Sequence, residues 1–124
     1  MEFNDAQAIY LQIADYISEH ILLGKWKEGE RLLSVRELAT ELEVNPNTVM
    51  RAYDFLQSNE IIYNKRGIGY FVADDAKEKI LNYRRKRFLE KELPILFKNI
   101  HLLNIDVEEV KKRYDDYLQK QQAL

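Results

Sequence analysis

Three features of this sequence predict a mainly α-helical fold carrying one small β-hairpin. Two short segments with firm helix-start signals follow each other closely between Ser34 and Ser58. Two β-prone runs separated by a glycine-containing turn come directly behind them, at 61–65 and 69–73. From Asp74 the chain changes to long charged segments in which Leu, Ile and Phe return every seven residues.

The first element is a helix over 6–23. Ile9, Ile13, Ile17 and Ile21 form an apolar stripe, Asp5 stands at the N-cap position, and Gly24 stands just past the C-terminal end. "KWKEGERL" reads as a connector with a turn at Gly29. Ser34-Val35-Arg36-Glu37 then matches a capping box: the Ser hydroxyl accepts from the Glu37 amide, and the Glu carboxylate reaches back to the Ser amide. The helix it opens runs to about Leu42, with Val35, Leu38, Ala39 and Leu42 as its buried face. After Glu43-Val44-Asn45, Pro46 takes the first helical position, where its missing N–H is no loss. This second helix runs to about Ser58, with Val49, Ala52, Tyr53 and Leu56 on one face. Two short capped helices across a tight turn outline a helix-turn-helix. "IIYNK" and "GYFVA" then flank Arg66-Gly67-Ile68-Gly69 as a hairpin. A helix-turn-helix followed by a basic-tipped hairpin is a winged helix.

The tail carries two apolar rows. Leu81, Phe88, Ile95 and Leu102 make one, and Leu89, Leu96 and Leu103 the other. Pro94 interrupts this register and predicts a kink or break near Glu92. A last helix starts at Asp106, with Glu109 three residues on as its box partner, and shows Val107, Val110, Tyr114, Tyr117 and Leu118. The chain thus divides into a winged helix-turn-helix over 1–73 and a helical dimerisation tail over 74–124. Two helices cannot bury both rows, and the rows are too few to enclose a ligand cavity. Packing against a second copy is the economical solution. Leu81, Phe88, Leu89, Ile95, Leu96, Leu102 and Leu103 are therefore the expected dimerisation residues.

Composition narrows the function. With 46% hydrophobic and 32% charged residues, the 124-residue chain can build a small core under a charged surface. No apolar run approaches the ~20 residues that span a bilayer. The start "MEFNDAQAIY" lacks the basic-then-apolar pattern of a secretory signal, so the expected location is the cytoplasm, with no membrane partner. Cys is absent, which excludes disulfides, thiol nucleophiles and Cys-type metal sites. His20 and His101 lie on separate helices, and no Ser/His/Asp motif or phosphate-cradling glycine loop accompanies them. An enzyme is not expected, nor is a metal or cofactor. The net charge is −2, and residues 1–73 hold 7 Lys/Arg against 11 Asp/Glu. A DNA-facing surface must then be a local patch on an acidic body.

"LLSVRELATELEVNPNTVMRAYDFLQSNEIIYNKRGIGYFV", residues 32–72, resembles the DNA-binding signature of GntR-family bacterial transcription regulators. "VNPNTVMRAY" and the short tail are similar to the YtrA-like subfamily in particular. The resemblance covers residues 6–73 closely, and the tail only in length and helical character. It implies a homodimeric winged-helix repressor on double-stranded DNA, often encoded beside the genes of an ABC transporter. Three places depart from the family pattern. Leu33 stands where Pro is usual; Glu60 replaces a usual Gly, with Asn59 expected to take the left-handed position instead. Pro46 and Met50 replace arginines that contact DNA in members outside the YtrA-like group.

A recognition helix presents its first turn to base edges. Asn47 sits there, and its amide suits adenine N6 and N7. Thr48 either meets a phosphate or thymine methyl, or caps and packs the helix. Arg51 either clamps a phosphate or guanine, or pairs with Asp54 or Glu37. Arg36 matches the family arginine that reaches DNA from the preceding helix. Lys65, Arg66 and Gly67 form the wing tip, suited to the DNA backbone or minor groove. "RRKR", 84–87, reads as a solvated helix face, or else as a nonspecific phosphate attractor. The expected function is a homodimeric repressor at a palindromic operator. The alternative is a winged helix that docks on protein. An effector ligand is not specified by the sequence.

Overall fold

The computed structural model describes residues 1–3 and 7–122. They form α1 (Ile9–Leu22), α2 (Val35–Leu42), α3 (Pro46–Ser58), β1 (Ile62–Lys65), β2 (Gly69–Val72), α4 (Ala76–Arg87), a π-helical turn (Phe88–Glu92), α5 (Leu93–Leu102) and α6 (Val107–Gln122). Among the described residues no helix is long and apolar enough to cross a membrane. The chain packs as two compact units, Met1–Arg84 and Arg85–Leu124. The division thus lies within α4, beyond the compositional change at Asp74, because Ala76 and Ile80 of α4 are buried in the core of the first unit.

In the first unit, α1 buries Ile13, Ile17 and Ile21 completely, while Ile9 is 46% exposed. Residues four apart drift about 40° around a helix of 3.6 residues per turn, so the outermost member of the stripe leaves the core. The expected cap Asp5 and the first helical position Ala6 lie outside the described residues; α1 opens behind Ala8 without a side-chain cap. At its far end, Lys25 N–H bonds His20 O and Gly24 N–H bonds Ile21 O, a Schellman closure.

The helix-turn-helix forms as its signals dictate. Ser34 Oγ accepts from the Glu37 amide (3.1 Å), and the Glu37 carboxylate accepts from the Ser34 amide (3.0 Å). Leu38 and Ala39 are buried, whereas Val35 and Leu42 are only half-buried. Asn45 Oδ1 caps α3 by accepting from the Asn47 amide (2.8 Å). Val49, Ala52, Tyr53 and Leu56 face the core. After α3 it is Glu60 (φ +60), and not Asn59 (φ −93), that turns left-handed. That position lets Ile61 N–H close on Leu56 O and buries Ile61. The Glu60 carboxylate meets Lys79 Nζ at 2.7 Å, which holds the carboxyl below its usual range and raises the amine.

β1 and β2 pair antiparallel from Ile62↔Val72 to Lys65↔Gly69. The supposed connector joins them: Gly29 N–H bonds Val72 O, Val72 N–H bonds Glu30 O, and Leu32 N–H bonds Tyr70 O. Arg31 therefore forms an isolated antiparallel bridge with Phe71 at the edge of the two-stranded sheet. Tyr53 ties this edge to α3. Its hydroxyl donates to Leu33 O, and its ring stands edge-on to Tyr70 at 4.9 Å. Burial pushes the Tyr53 hydroxyl well above the usual phenol range. α4 packs Tyr83 edge-on to Phe55 at 5.2 Å, and Arg84 Nη2 donates to Asp15 O at 3.1 Å.

In the second unit, Leu93 N–H bonds Phe88 O across five residues. Pro94 follows at the start of α5, so the expected interruption near Glu92 takes the form of a π-turn. Asn104 turns left-handed to end α5. Asp106 caps α6 through the Glu108 amide (3.0 Å). Glu109 does not close the expected box; its carboxylate pairs with Arg113 one turn on, at 3.1 Å. No described residue of this unit is buried.

Tyr53→Phe removes the hydroxyl that satisfies Leu33 O. It should lower unfolding stability by about 1–3 kcal/mol in urea titration without loss of helix signal. A variant as stable as the parent would show that this bond contributes nothing.

Candidate nucleic-acid interface

The first turn of α3 is polar and open. Because Asn45 caps the helix, the Asn47 side chain is free of that duty; Asn47 is exposed and its carboxamide meets no described residue. Thr48 is half-buried beside it. Its amide bonds Asn45 O at 3.0 Å, and the side chain that caps the helix is that of Asn45. Met50, exposed on the same helix, accepts from the Tyr70 hydroxyl through Sδ at 3.7 Å, which links α3 to the wing.

Arg51 takes neither expected ion pair. Its guanidinium lies over the Tyr10 ring of α1, 4.1 Å from the centroid, instead of against Asp54 or Glu37. A planar cation on an exposed aromatic face gains about as much as from a screened surface carboxylate, so no ion pair is needed to hold it. The stacking steadies the side chain on the α1 side of α3.

Arg36 is exposed in the first turn of α2. Glu37 next to it is occupied: hydrogen bonds from the Ser34 amide and then the Ser34 hydroxyl hold its carboxyl below the usual range, with a smaller contribution from the charge of Arg31. At the wing, Ile68 N–H bonds Lys65 O to make a β-turn, and Gly67 (φ +79) fills the corner that requires a positive φ. Arg66 is exposed at this corner. Lys65 folds back, its Nζ 4.6 Å from the Phe71 ring centroid and 5.9 Å from that of Tyr63.

The expected residues thus fall into groups. Arg36 and Gly67 line one cleft between α2 and the wing, Asn47 and Thr48 share the first turn of α3, and Arg51 sits against α1. Arg31 lines the same cleft as Arg36, yet the sequence reading passed over it as part of a connector. Its strand pairing with Phe71 spans forty residues of chain and leaves no local signal. The "RRKR" face is not uniformly solvated: Arg84 is spent on Asp15 O, while Arg85 and Lys86 are exposed. Among the described residues no group of His, Asp and Glu could hold a metal ion.

Comparison with known proteins agrees with this geometry. Residues 9–72 match the family model of bacterial regulatory proteins of the gntR family. The chain is 33% identical to the HTH-type transcriptional regulator YhcF of Bacillus subtilis over 88% of both chains. It is 35% identical to the HTH-type transcriptional repressor YtrA of the same organism, over 82% of this chain and 78% of the relative. A GntR-family regulator from Bacteroides thetaiotaomicron has the same fold at a TM-score of 0.80 and 50% identity, covering 92% of this chain and 99% of that one. The chain belongs to the GntR family of bacterial regulatory proteins: it is a DNA-binding helix-turn-helix transcriptional regulator and not an enzyme.

Proposed function

We propose that the protein is a homodimeric repressor that binds a palindromic operator in the cytoplasm and excludes polymerase from an overlapping promoter. The observation that carries this reading is the first turn of α3, where Asn47 is exposed, unpartnered among the described residues and released from capping by Asn45. Asn47 and Thr48 meet bases, and Arg36, Lys65, Arg66 and Gly67 meet the DNA backbone and set register. Arg51, steadied on Tyr10, meets a flanking phosphate. The repressor role is supported by the relative YtrA, which bears that name. Control of a transporter operon follows only from the likeness to the YtrA-like group.

Dimerisation is supported by the second unit. Phe88, Leu89, Ile95, Leu96, Leu102 and Leu103 are each 43–68% exposed, and Leu81 of the first unit is 42% exposed. Such a density of apolar surface on helices without a buried residue marks a contact face. A symmetric dimer would bury it and would place two recognition helices on half-sites about one helical turn apart.

Fluorescence anisotropy with the DNA upstream of the protein's own gene tests the reading. That duplex should be preferred over an unrelated one, with affinity falling steeply as salt rises. Equal and weak binding to both would place the operator elsewhere or favour a recognition helix that docks on protein. Asn47→Ala should cost roughly 1–3 kcal/mol at a single base position across a panel of operator variants. Arg66→Gln should weaken all variants alike and flatten the salt dependence. A panel response identical to the parent's removes Asn47 or Arg66 from the contact set. Leu89→Glu with Leu96→Glu should shift the sedimenting species to monomer mass; a double variant that stays dimeric places the interface elsewhere.

A further inference from the structure

We propose that Arg31 and Arg36 together anchor one phosphodiester group of bound DNA in the cleft between the wing and the start of α2. The inference rests on the DNA-binding reading above and adds to it a residue, Arg31, and a defined place for a backbone phosphate. The cleft has a volume of about 390 Å³; Arg31, Ser34 and Arg36 and the wing residues Asn64, Gly67 and Gly69 line it, together with apolar surface from Leu32, Val35, Ile68 and Tyr70. Both arginines are exposed, and neither guanidinium makes a hydrogen bond or salt bridge to a described residue, although the charge of Arg31 acts at longer range on the Glu37 carboxyl.

Backbone geometry fixes Arg31 in this place. The Arg31↔Phe71 bridge sets the strand, so its side chain projects on the same face as Gly69, two residues before Phe71. There the guanidinium occupies space that any other residue would fill: a Cβ at Gly69 would lie 3.0 Å from Arg31 Nε and 3.5 Å from Nη2. Gly69 also holds φ +139, which L side chains rarely adopt. The glycine therefore serves two ends, the turn and the seat of the arginine.

The chemistry of the cleft suits a singly charged phosphodiester. Two planar guanidinium groups supply forked donors matched to phosphate oxygens. The amides of Val35 and Arg36, at the start of α2, have no acceptor within their own helix and add partial positive charge. Glu37, whose carboxyl feels the charge of Arg31, accepts from the Ser34 amide at 3.0 Å and does not line the cleft.

The test is the salt dependence of duplex binding for Arg31→Gln and Arg31→Lys, each first checked for an unchanged melting profile. Arg31→Gln should weaken binding roughly tenfold. Its slope of log K against log salt should fall by about 0.9 for each phosphate lost. Arg31→Lys should recover most of the slope, because it restores the charge. Weaker binding with the parent's slope would mean that Arg31 only props the wing, and would overturn the anchor. Parent-like affinity and slope for Arg31→Gln would overturn it too, while leaving the DNA-binding reading intact. A parent protein that ignores every duplex would overturn both.

Discussion

The buried Tyr53 hydroxyl is the constraint on which the rest of the first unit depends. An O–H taken out of water must find an acceptor, and the one available is Leu33 O, on the strand that leads into α2. The same ring stands against Tyr70 of β2, whose hydroxyl in turn reaches Met50 of α3. One residue thereby joins the recognition helix, the start of the preceding helix and the wing. The groups that face outward from these three elements are then held in one arrangement, and no carboxylate is needed to position them. This suits an anion-binding surface, where an acidic support would oppose the ligand.

Much of this was legible where cause and effect lie close in the chain. The Ser34/Glu37 box spans four residues, and Asn45-Pro46 caps its own helix, so both could be read directly and both formed. The hairpin was equally local, because its two strands and its Gly67 corner are contiguous. What escaped were pairings between distant segments. Arg31 with Phe71, Arg51 with Tyr10 and Arg84 with Asp15 each join elements that only the folded core brings together. Arg51 shows the difficulty well: nearby Asp54 and Glu37 were visible as partners, whereas the aromatic face that holds it lies on α1. At the end of α3 a propensity argument favoured Asn59 over Glu60. The closing amide bond from Ile61 to Leu56 fixed the left-handed position one residue later, and Lys79 gave the Glu60 carboxylate a partner.

The distribution of charge answers the apparent conflict between an acidic chain and a DNA ligand. Of the cations expected to meet DNA, none forms a salt bridge with a described carboxylate: Lys65 and Arg51 rest on aromatic rings, and Arg36 and Arg66 are exposed. Two acidic residues of these elements are engaged elsewhere, Glu37 at the Ser34 amide and Glu60 at Lys79. Local potential, and not the net charge of −2, governs how a duplex is approached. The second unit poses a complementary demand. Its helices end and begin with sound caps, at Asn104 and Asp106, yet they expose two apolar rows.

Recognition through the start of α3 and the cleft beside it is tested most directly by NMR. A ¹⁵N-labelled sample would be titrated with a duplex at low salt while amide shifts are followed residue by residue. The amides of Val35, Arg36, Asn47, Thr48, Arg66 and Gly67 should move together and saturate at one stoichiometry, while those of α6 stay in place. Shifts confined to Arg85, Lys86 and α6, or no shift in the first turn of α3, would contradict recognition through that helix.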